Sequence, residues 1–250
     1  MSYDVFSAYY DALTENVQYS AIAERICSLL TRRGINRGLL LDLGCGTGTL
    51  SLLLAKRGFE VIGADASPDM LMEAQNKAAE AGEQILFLCQ PMEQLDLYGT
   101  VRAAVCTLDA LNHLPNREAV EAALGRVSLF LEPDGVFIFD VNTLYKHREV
   151  LGSKTFVYDT DDVYCVWQNT LDAGGATVNI DLDFFVPLEE DGIFERESEH
   201  FSERAYSEAE WEEMLQKAGL QILERFDGYS EDAPHETSER IVYVVGKETK

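Results

Sequence analysis

The chain reads as an α/β protein with a doubly wound, largely parallel sheet and an antiparallel sheet inserted late. Three observations predict it. Leu39–Leu43 form an apolar run that breaks at Gly44, Gly46 and Gly48 and continues as a helical stretch with Leu50, Leu52, Leu53 and Leu54. That is the pattern of a strand buried on both faces that turns sharply into a helix. Strand and helix patterns then alternate as far as Val141, as in a parallel sheet built from βαβ units. From Thr155 to Tyr206, strand follows strand with only turn signals between, which reads as an antiparallel meander.

Taken in order, residues Tyr3–Leu13 place Phe6, Tyr9, Tyr10 and Leu13 at helical spacing and predict a short aromatic helix. A second helix is expected over Gln18–Arg33, with Ile22, Ile26, Leu29 and Leu30 on one side and Gly34 ending it. After the glycine turn, a second strand over Glu60–Ala64 ends at Asp65. Ser67 can cap and Pro68 begin a helix that reaches about Ala81 and stops at Gly82. Ile85–Cys89 is the third strand and completes one βαβαβ half. Ala103–Thr107 supplies the fourth strand, Arg117–Leu131 an amphipathic helix, and Val136–Val141 a fifth strand after the turn Glu132-Pro133-Asp134-Gly135.

The meander strands are Thr155–Tyr158, Val163–Leu171, Thr177–Val186 and Phe194–Tyr206, with turns at Asp159–Asp162, Ala173–Gly175 and Glu190–Gly192. Ser207–Ala218 resumes as a helix with a capping-box pattern in Ser207-x-x-Glu210, and strands over Leu220–Phe226 and Arg240–Gly246 close the chain. The 250 residues thus divide into a main domain, 1–150 with 207–250, and an insertion, 151–206.

Composition narrows the partners. The apolar fraction of 46% and charged fraction of 26% are those of a globular protein, and no segment approaches the apolar length of a membrane span. The polar, aromatic start lacks the signature of a secretory leader, so a cytoplasmic protein is expected. Five scattered cysteines, Cys27, Cys45, Cys89, Cys106 and Cys165, suit reduced packing residues rather than disulfides or metal ligands, and no metal site is expected. A net charge of −24 disfavours nucleic acid, since phosphate neutralisation needs clustered Lys and Arg.

The glycine turn suits ligand binding, because a backbone without Cβ atoms lets a ligand press against the main chain at a helix start. A dinucleotide loop usually has its second and third glycines three apart; here Gly48 follows Gly46 too closely. An acidic residue about 20 positions on, here Asp65, accepts ribose hydroxyls in either kind of site. Asp42 followed by Gly44-x-Gly46-x-Gly48 resembles motif I of the class I S-adenosylmethionine-dependent methyltransferases. The turn before the fifth strand and the closing pair of strands are similar to the same family, in particular to a small bacterial group with an antiparallel insertion after the fifth strand.

The resemblance implies a seven-stranded, Rossmann-like methyltransferase sheet with S-adenosyl-L-methionine as cofactor. It implies that Asp42, Gly44, Cys45, Gly46 and Gly48 hold the amino-acid part and Asp65 the ribose, with Ala66, Met70, Gln90, Met92 and Leu108 around them. Tyr10, in the pair Tyr10-Asp11, would close over the cofactor, where an aromatic face gains cation–π energy beside a sulfonium. Pro91 stands where the family usually has an Asp for the adenine amino group. Gln90, Glu93, a backbone carbonyl or water must then serve, with Leu86, Leu88 and Met92 giving apolar contact.

At the end of the fourth strand, Leu108-Asp109-Ala110-Leu111-Asn112-His113 occupies the motif IV position. Asp109, Asn112 and, from the fifth strand, Asp140 are candidates for positioning the acceptor, though Asp109 and Asn112 would also serve as plain turn caps; His113 reads as a loop residue rather than a base. The meander would be a lid over the acceptor, with Arg204 and Tyr206 reaching it and Tyr164, Trp167 and Phe185 lining it or simply packing. The activity implied is methyl transfer to a small molecule by in-line displacement, in which alignment and desolvation do most of the work. The alternatives are a non-catalytic S-adenosylmethionine-binding regulator and a nicotinamide dehydrogenase, the latter disfavoured by the glycine spacing. A homodimer is compatible with either leading reading.

Overall fold

The computed structural model describes residues 4–160, 163–188 and 192–247. The side chain of Phe6 and parts of the turns expected at Asp159–Asp162 and Glu190–Gly192 lie outside the described residues. The chain runs α1 (Asp4–Leu13), α2 (Tyr19–Thr31), β1 (Gly38–Leu43), α3 (Thr49–Ala55), β2 (Phe59–Asp65), α4 (Pro68–Ala81), β3 (Leu86–Cys89), β4 (Val101–Cys106), α5 (Arg117–Phe130) and β5 (Leu131–Asn142). It continues β6 (Thr155–Asp159), β7 (Tyr164–Leu171), β8 (Thr177–Pro187), β9 (Phe194–Arg204), α6 (Glu208–Lys217), β10 (Leu220–Asp227) and β11 (Arg240–Lys247). Short 3₁₀ turns occupy Met92–Gln94 and Ala110–His113, and a π-helical turn, unforeseen in the sequence, occupies Lys146–Leu151.

A seven-stranded sheet has the order β10-β11-β5-β4-β1-β2-β3. The strands from β5 to β3 are parallel, and β11 lies antiparallel between β5 and β10. Successive side chains of each strand serve opposite faces. Leu40, Val61, Val105, Ile138 and Val244 meet Ile26, Leu29 and Leu54 of α2 and α3. Leu41, Leu43, Phe137, Phe139 and Tyr243 meet Val120, Leu124, Trp211 and Leu215 of α5 and α6. Both faces are covered, which is why these strands read as near-continuous apolar runs rather than alternating ones. Among the described residues, no helix is long and apolar enough to cross a membrane.

The second sheet is the expected antiparallel meander, β6-β7-β8-β9. One face buries Cys165, Val178, Ile180, Leu182, Phe184 and Phe201, with Met70 of α4 and Tyr9 and Tyr10 of α1 packed against it. Local chemistry fixes the helix ends as read: the Ser67 hydroxyl accepts from Met70 N, Gly82 closes α4 in the left-handed region, and Ser207 and Glu210 form a reciprocal capping box. The start of β5 differs from the reading, because Leu131 already pairs with Val101 before the turn that leads to Val136.

Trp211 is the largest fully buried side chain on the α6 side, with ring centroids of Phe139, Tyr206 and Tyr243 at 5.5, 5.6 and 6.3 Å. Trp211→Ala should therefore cost about 3–5 kcal/mol of unfolding free energy in urea titrations, from lost burial plus a residual cavity. A loss below about 1 kcal/mol would show that α6 does not anchor this face.

Candidate functional site

The site begins where β1 gives way to α3. Gly44, Gly46 and Gly48 have φ of 71°, 51° and 74°, a region costly to any residue with a Cβ. Space adds to this at Gly48, where a Cβ would stand 2.7 Å from Ala74 Cβ, while at Gly44 the nearest atom, 2.5 Å away, is the flexible end of Met92 and at Gly46 nothing lies within 4 Å. The main chain of the turn is thereby bare toward the crevice. Asp65, at the end of β2, holds it in place. Its two carboxylate oxygens accept from Gly46 N and Ser67 N, each at 2.9 Å. Burial raises the Asp65 pKa, and the backbone donors of Ser67, Gly46 and Ala66 oppose that rise.

Asp42 lies just beneath, with 1% exposure; one oxygen accepts the Ser51 hydroxyl at 2.5 Å and the other, Oδ1, has no partner. Burial, helped by the charge of Asp65 and opposed by Ser51, pushes its pKa up to about 6. The N-terminal helix is tied to the same turn. The Thr47 hydroxyl donates to Asp11 Oδ1 at 2.8 Å, and Lys77 of α4 pairs with Asp11. Tyr10, half-buried, shares a hydrogen bond with Tyr19, and burial raises its pKa.

The remaining residues expected around the cofactor fall into two groups. Cys45 is buried within the turn, Met92 lies against Gly44, and Leu108 leads out of β4 toward it. Ala66 contributes backbone only, its carbonyl accepting from Cys89 Sγ at 3.8 Å. Met70 is buried in the second sheet's cluster, and the Gln90 carboxamide is spent on its own loop, accepting from Asp96 N at 2.8 Å.

The turn after β4 is braced by one carboxylate. Leu108 and Asp109 have φ of 55° and 54°, the non-glycine residues with positive φ among the described residues. Asp140 Oδ2 accepts from Leu108 N and Oδ1 from Asp109 N, both at 2.8 Å. Tyr229 donates its hydroxyl to Oδ2, and Arg240 donates to Oδ1 and, through its other amino group, to Asp109 Oδ1. A carboxylate offers about four lone-pair sites, and here all are taken on a side chain with no exposure. The sequence reading placed Asp140 at the acceptor; the structure gives it no free atom to offer, and it holds the turn instead. Asp109 keeps Oδ2 for the crevice. Burial works against its charge, but Arg240, His113 and Lys146 hold its carboxyl well below the usual range.

Asn112 is likewise consumed, accepting from Asn142 N at 3.0 Å and donating to Asn142 O and Arg204 O at 3.3 and 2.8 Å. It stitches the turn to β5 and β9 rather than presenting an amide to a ligand. On β9 the sequence reading is one residue out of phase. Glu203 pairs with buried Val178 and faces inward, whereas Arg204 is exposed with its guanidinium 5.3 Å from the Tyr206 ring. Tyr206 is 3% exposed and stands edge-on to Trp211 in the core. Tyr164 and Phe185 pair with each other on the outer face, and only Trp167 of the aromatic trio lies on the inner one.

Glu203, which sequence reasoning missed, completes a cluster that period-two alternation from Phe201 would have flagged. His113 Nε2 lies 3.8 Å from Asp109 Oδ2 and 3.6 Å from Glu203 Oε1, with its ring 5.3 Å from Phe201. Ligand atoms of Asp109, His113 and Glu203 all fall within 4.8 Å of one another. Burial lowers the His113 pKa, yet the surrounding carboxylates Asp109, Glu203 and Asp65 outweigh it and raise the pKa overall.

Asp42 makes a prediction about pH. Its folded pKa near 6 exceeds the unfolded value of about 3.9. The folded state therefore keeps a proton that the unfolded chain has released, and stability falls as pH rises from about 4 to about 6. Asp42→Asn should flatten that stretch of the stability–pH curve measured by denaturant unfolding. An unchanged slope would show that Asp42 ionises as easily folded as unfolded.

Known proteins agree with this geometry. A sequence profile described as a methyltransferase domain matches residues 40–135. An inferred methyltransferase of Geobacillus sp. (strain WCH70) is 32% identical over 250 residues, covering 99% of this chain and 100% of its own length. YqeM of Bacillus subtilis (strain 168), also an inferred methyltransferase, is 33% identical over 248 residues, with 99% and 98% covered. The crystal structure of a S-adenosylmethionine-dependent methyltransferase from Clostridium acetobutylicum ATCC 824 superposes with a TM-score of 0.88 at 31% identity, covering 97% of each chain. With the bare glycine turn, the acidic end of β2 and the order of the seven strands, these likenesses make the chain a member of the S-adenosylmethionine-dependent methyltransferases.

Proposed function

We propose that the chain transfers a methyl group from S-adenosylmethionine to a small-molecule acceptor held between the Gly44–Gly48 turn, the 108–113 turn and the second sheet. One observation carries this reading. The glycine turn, the turn braced by Asp140 and the inward carboxylate of β9 converge at the carboxyl end of the parallel strands, where open α/β sheets bind ligands.

The residues suit the cofactor. The glycine turn is a cradle that side chains would fill, and Asp42 Oδ1 is a buried acceptor with no donor. In this reading Gly44, Cys45, Gly46 and Gly48 hold the amino-acid part, and Asp65, with lone pairs left beside its two backbone bonds, takes the ribose hydroxyls. Met92 and Leu108 border the base and Tyr10 covers the donor from α1; Pro91 leaves the adenine edge to backbone and water. Bound there, S-adenosylmethionine supplies a methyl group on a sulfonium.

The chain's own groups do the rest. Asp140, Arg240 and Tyr229 fix the turn; Asp109, His113 and Glu203 face the acceptor, and His113 has the surroundings to take a proton at Nε2. Residues 151–206 act as a lid, tethered through Arg204 O to Asn112. A purely regulatory binding module would have no use for a buried Glu203 aimed at His113.

Asp65→Ala should weaken S-adenosylmethionine binding in calorimetry about ten-fold or more, two charge-assisted hydrogen bonds being lost. Unchanged affinity would remove the ribose assignment. Replacing residues 155–204 with a short Gly-Ser link should spare cofactor binding and abolish transfer, and full-rate methylation by the trimmed chain would show the second sheet to be no lid.

A further inference from the structure

We propose that the acceptor is an amine, drawn in as its ammonium ion along the inward face of β9 to Glu203 and Asp109. This rests on the methyl-transfer reading above and names its substrate class. The strand reads Glu195-x-Glu197-x-Glu199-x-Phe201-x-Glu203. Register with β8 sets Glu197, Glu199, Phe201 and Glu203 opposite Phe184, Leu182, Ile180 and Val178, all four buried. Strand alternation therefore turns the whole row toward α1, α4 and the 110–113 turn, not outward. It is graded, from exposed Glu195 and Glu197 through half-buried Glu199 to buried Glu203.

A solvated face explains the outer glutamates but not Glu203. A buried carboxylate is costly unless paired, and this one has a single hydrogen bond among the described residues, from Asn142 Nδ2 at 3.0 Å. A second observation stands beside it. His147 is fully buried with Nδ1 2.9 Å from Ala176 O, and since a carbonyl oxygen only accepts, Nδ1 carries a proton. Its Nε2 has no hydrogen-bond partner. The buried Glu203 carboxylate thus lies between two imidazoles, His113 3.6 Å from Oε1 and His147 3.6 Å from Oε2, and has no ion pair with a Lys or Arg among the described residues.

Charge points the same way. Asp65, Asp109 and Glu203 border the crevice, while Arg240, Lys146 and His113 act on Asp109. Arg240 is locked between Asp109 and Asp140, and Lys146 donates to Asn142 Oδ1 at 2.9 Å. Both are thus spent on other partners, and an ammonium would bring to the Glu203 end of the row a fixed positive charge that neither supplies. In the reaction, the ammonium passes a proton to His113 Nε2. The freed nitrogen lone pair forms the bond to the methyl carbon, and the carbon–sulfur bond breaks with its electrons staying on sulfur. The product leaves as a methylated ammonium.

The test splits a bacterial small-molecule extract on a cation exchanger at neutral pH and incubates each half with the full chain and S-adenosylmethionine. S-adenosylhomocysteine should form with the retained half, vanish when that half is first treated with acetic anhydride in water to cap its amines, and persist in EDTA. Release confined to the unretained half, surviving acetylation or needing an added divalent ion overturns the amine and leaves methyl transfer standing. Release from neither half, with S-adenosylmethionine bound, overturns methyl transfer itself. Glu203→Gln should slow turnover on the dilute retained half roughly thirty-fold or more, with calorimetric affinity for S-adenosylhomocysteine unchanged. A matching fall in that affinity would mark Glu203 as structural and contradict the proposal.

Discussion

The candidate site depends on the Asp140 carboxylate. It accepts from two consecutive backbone N–H groups, a tyrosine hydroxyl and a guanidinium, drawing together the ends of β4, β5 and β11 and the loop between β10 and β11. Left-handed backbone at two non-glycine residues costs on the order of 1–3 kcal/mol each, and such strain persists only where the surroundings over-determine it. Here the two N–H groups aimed at one buried anion supply that over-determination. The consequence is directional: with Leu108 and Asp109 turned onto Asp140, Oδ2 of Asp109 and the His113 ring beside it are left on the crevice side.

Around this brace, polar stitches tie separate elements to the same edge of the sheet. Asn112 binds the turn to β5 and β9, and Asn142 reaches Glu203. Asp11 ties α1 to the glycine turn and to α4, while Tyr9 of α1 stacks on Phe184 of β8 at 6.3 Å. The second sheet is thus fastened to the main sheet at its last strand by buried hydrogen bonds and through α1 by the more exposed Asp11. The buried ones are high in stakes, because an unpaired partner left inside the protein costs the full desolvation of that group.

Much of this was legible in the sequence. Continuous apolar runs flanked by glycines, and the Ser67-Pro68 and Ser207-x-x-Glu210 starts, are local signals and gave the elements nearly to the residue. The glycine spacing and Asp65 pointed to the cofactor because backbone conformation and a carboxylate at a strand end are also locally encoded. The acceptor side was harder. Asp140, Asn112 and Tyr206 sit at the right places in the chain, yet whether their polar atoms are free depends on Arg240, Tyr229 and Trp211, which are distant in sequence. On β9 a shift of one residue exchanged the inward Glu203 for the outward Arg204, the characteristic error of a two-residue period. The π-helical turn that buries His147 carried no periodic signal at all.

A crystal structure of the chain with S-adenosylhomocysteine tests the central claim most directly. The account predicts the ligand along Gly44–Gly48 with its ribose on Asp65, Leu108 and Asp109 still left-handed on Asp140, and Asp109, His113 and Glu203 bordering a space next to the ligand sulfur. A ligand bound elsewhere, or Asp140 swung out of its four bonds to touch it, would contradict the account.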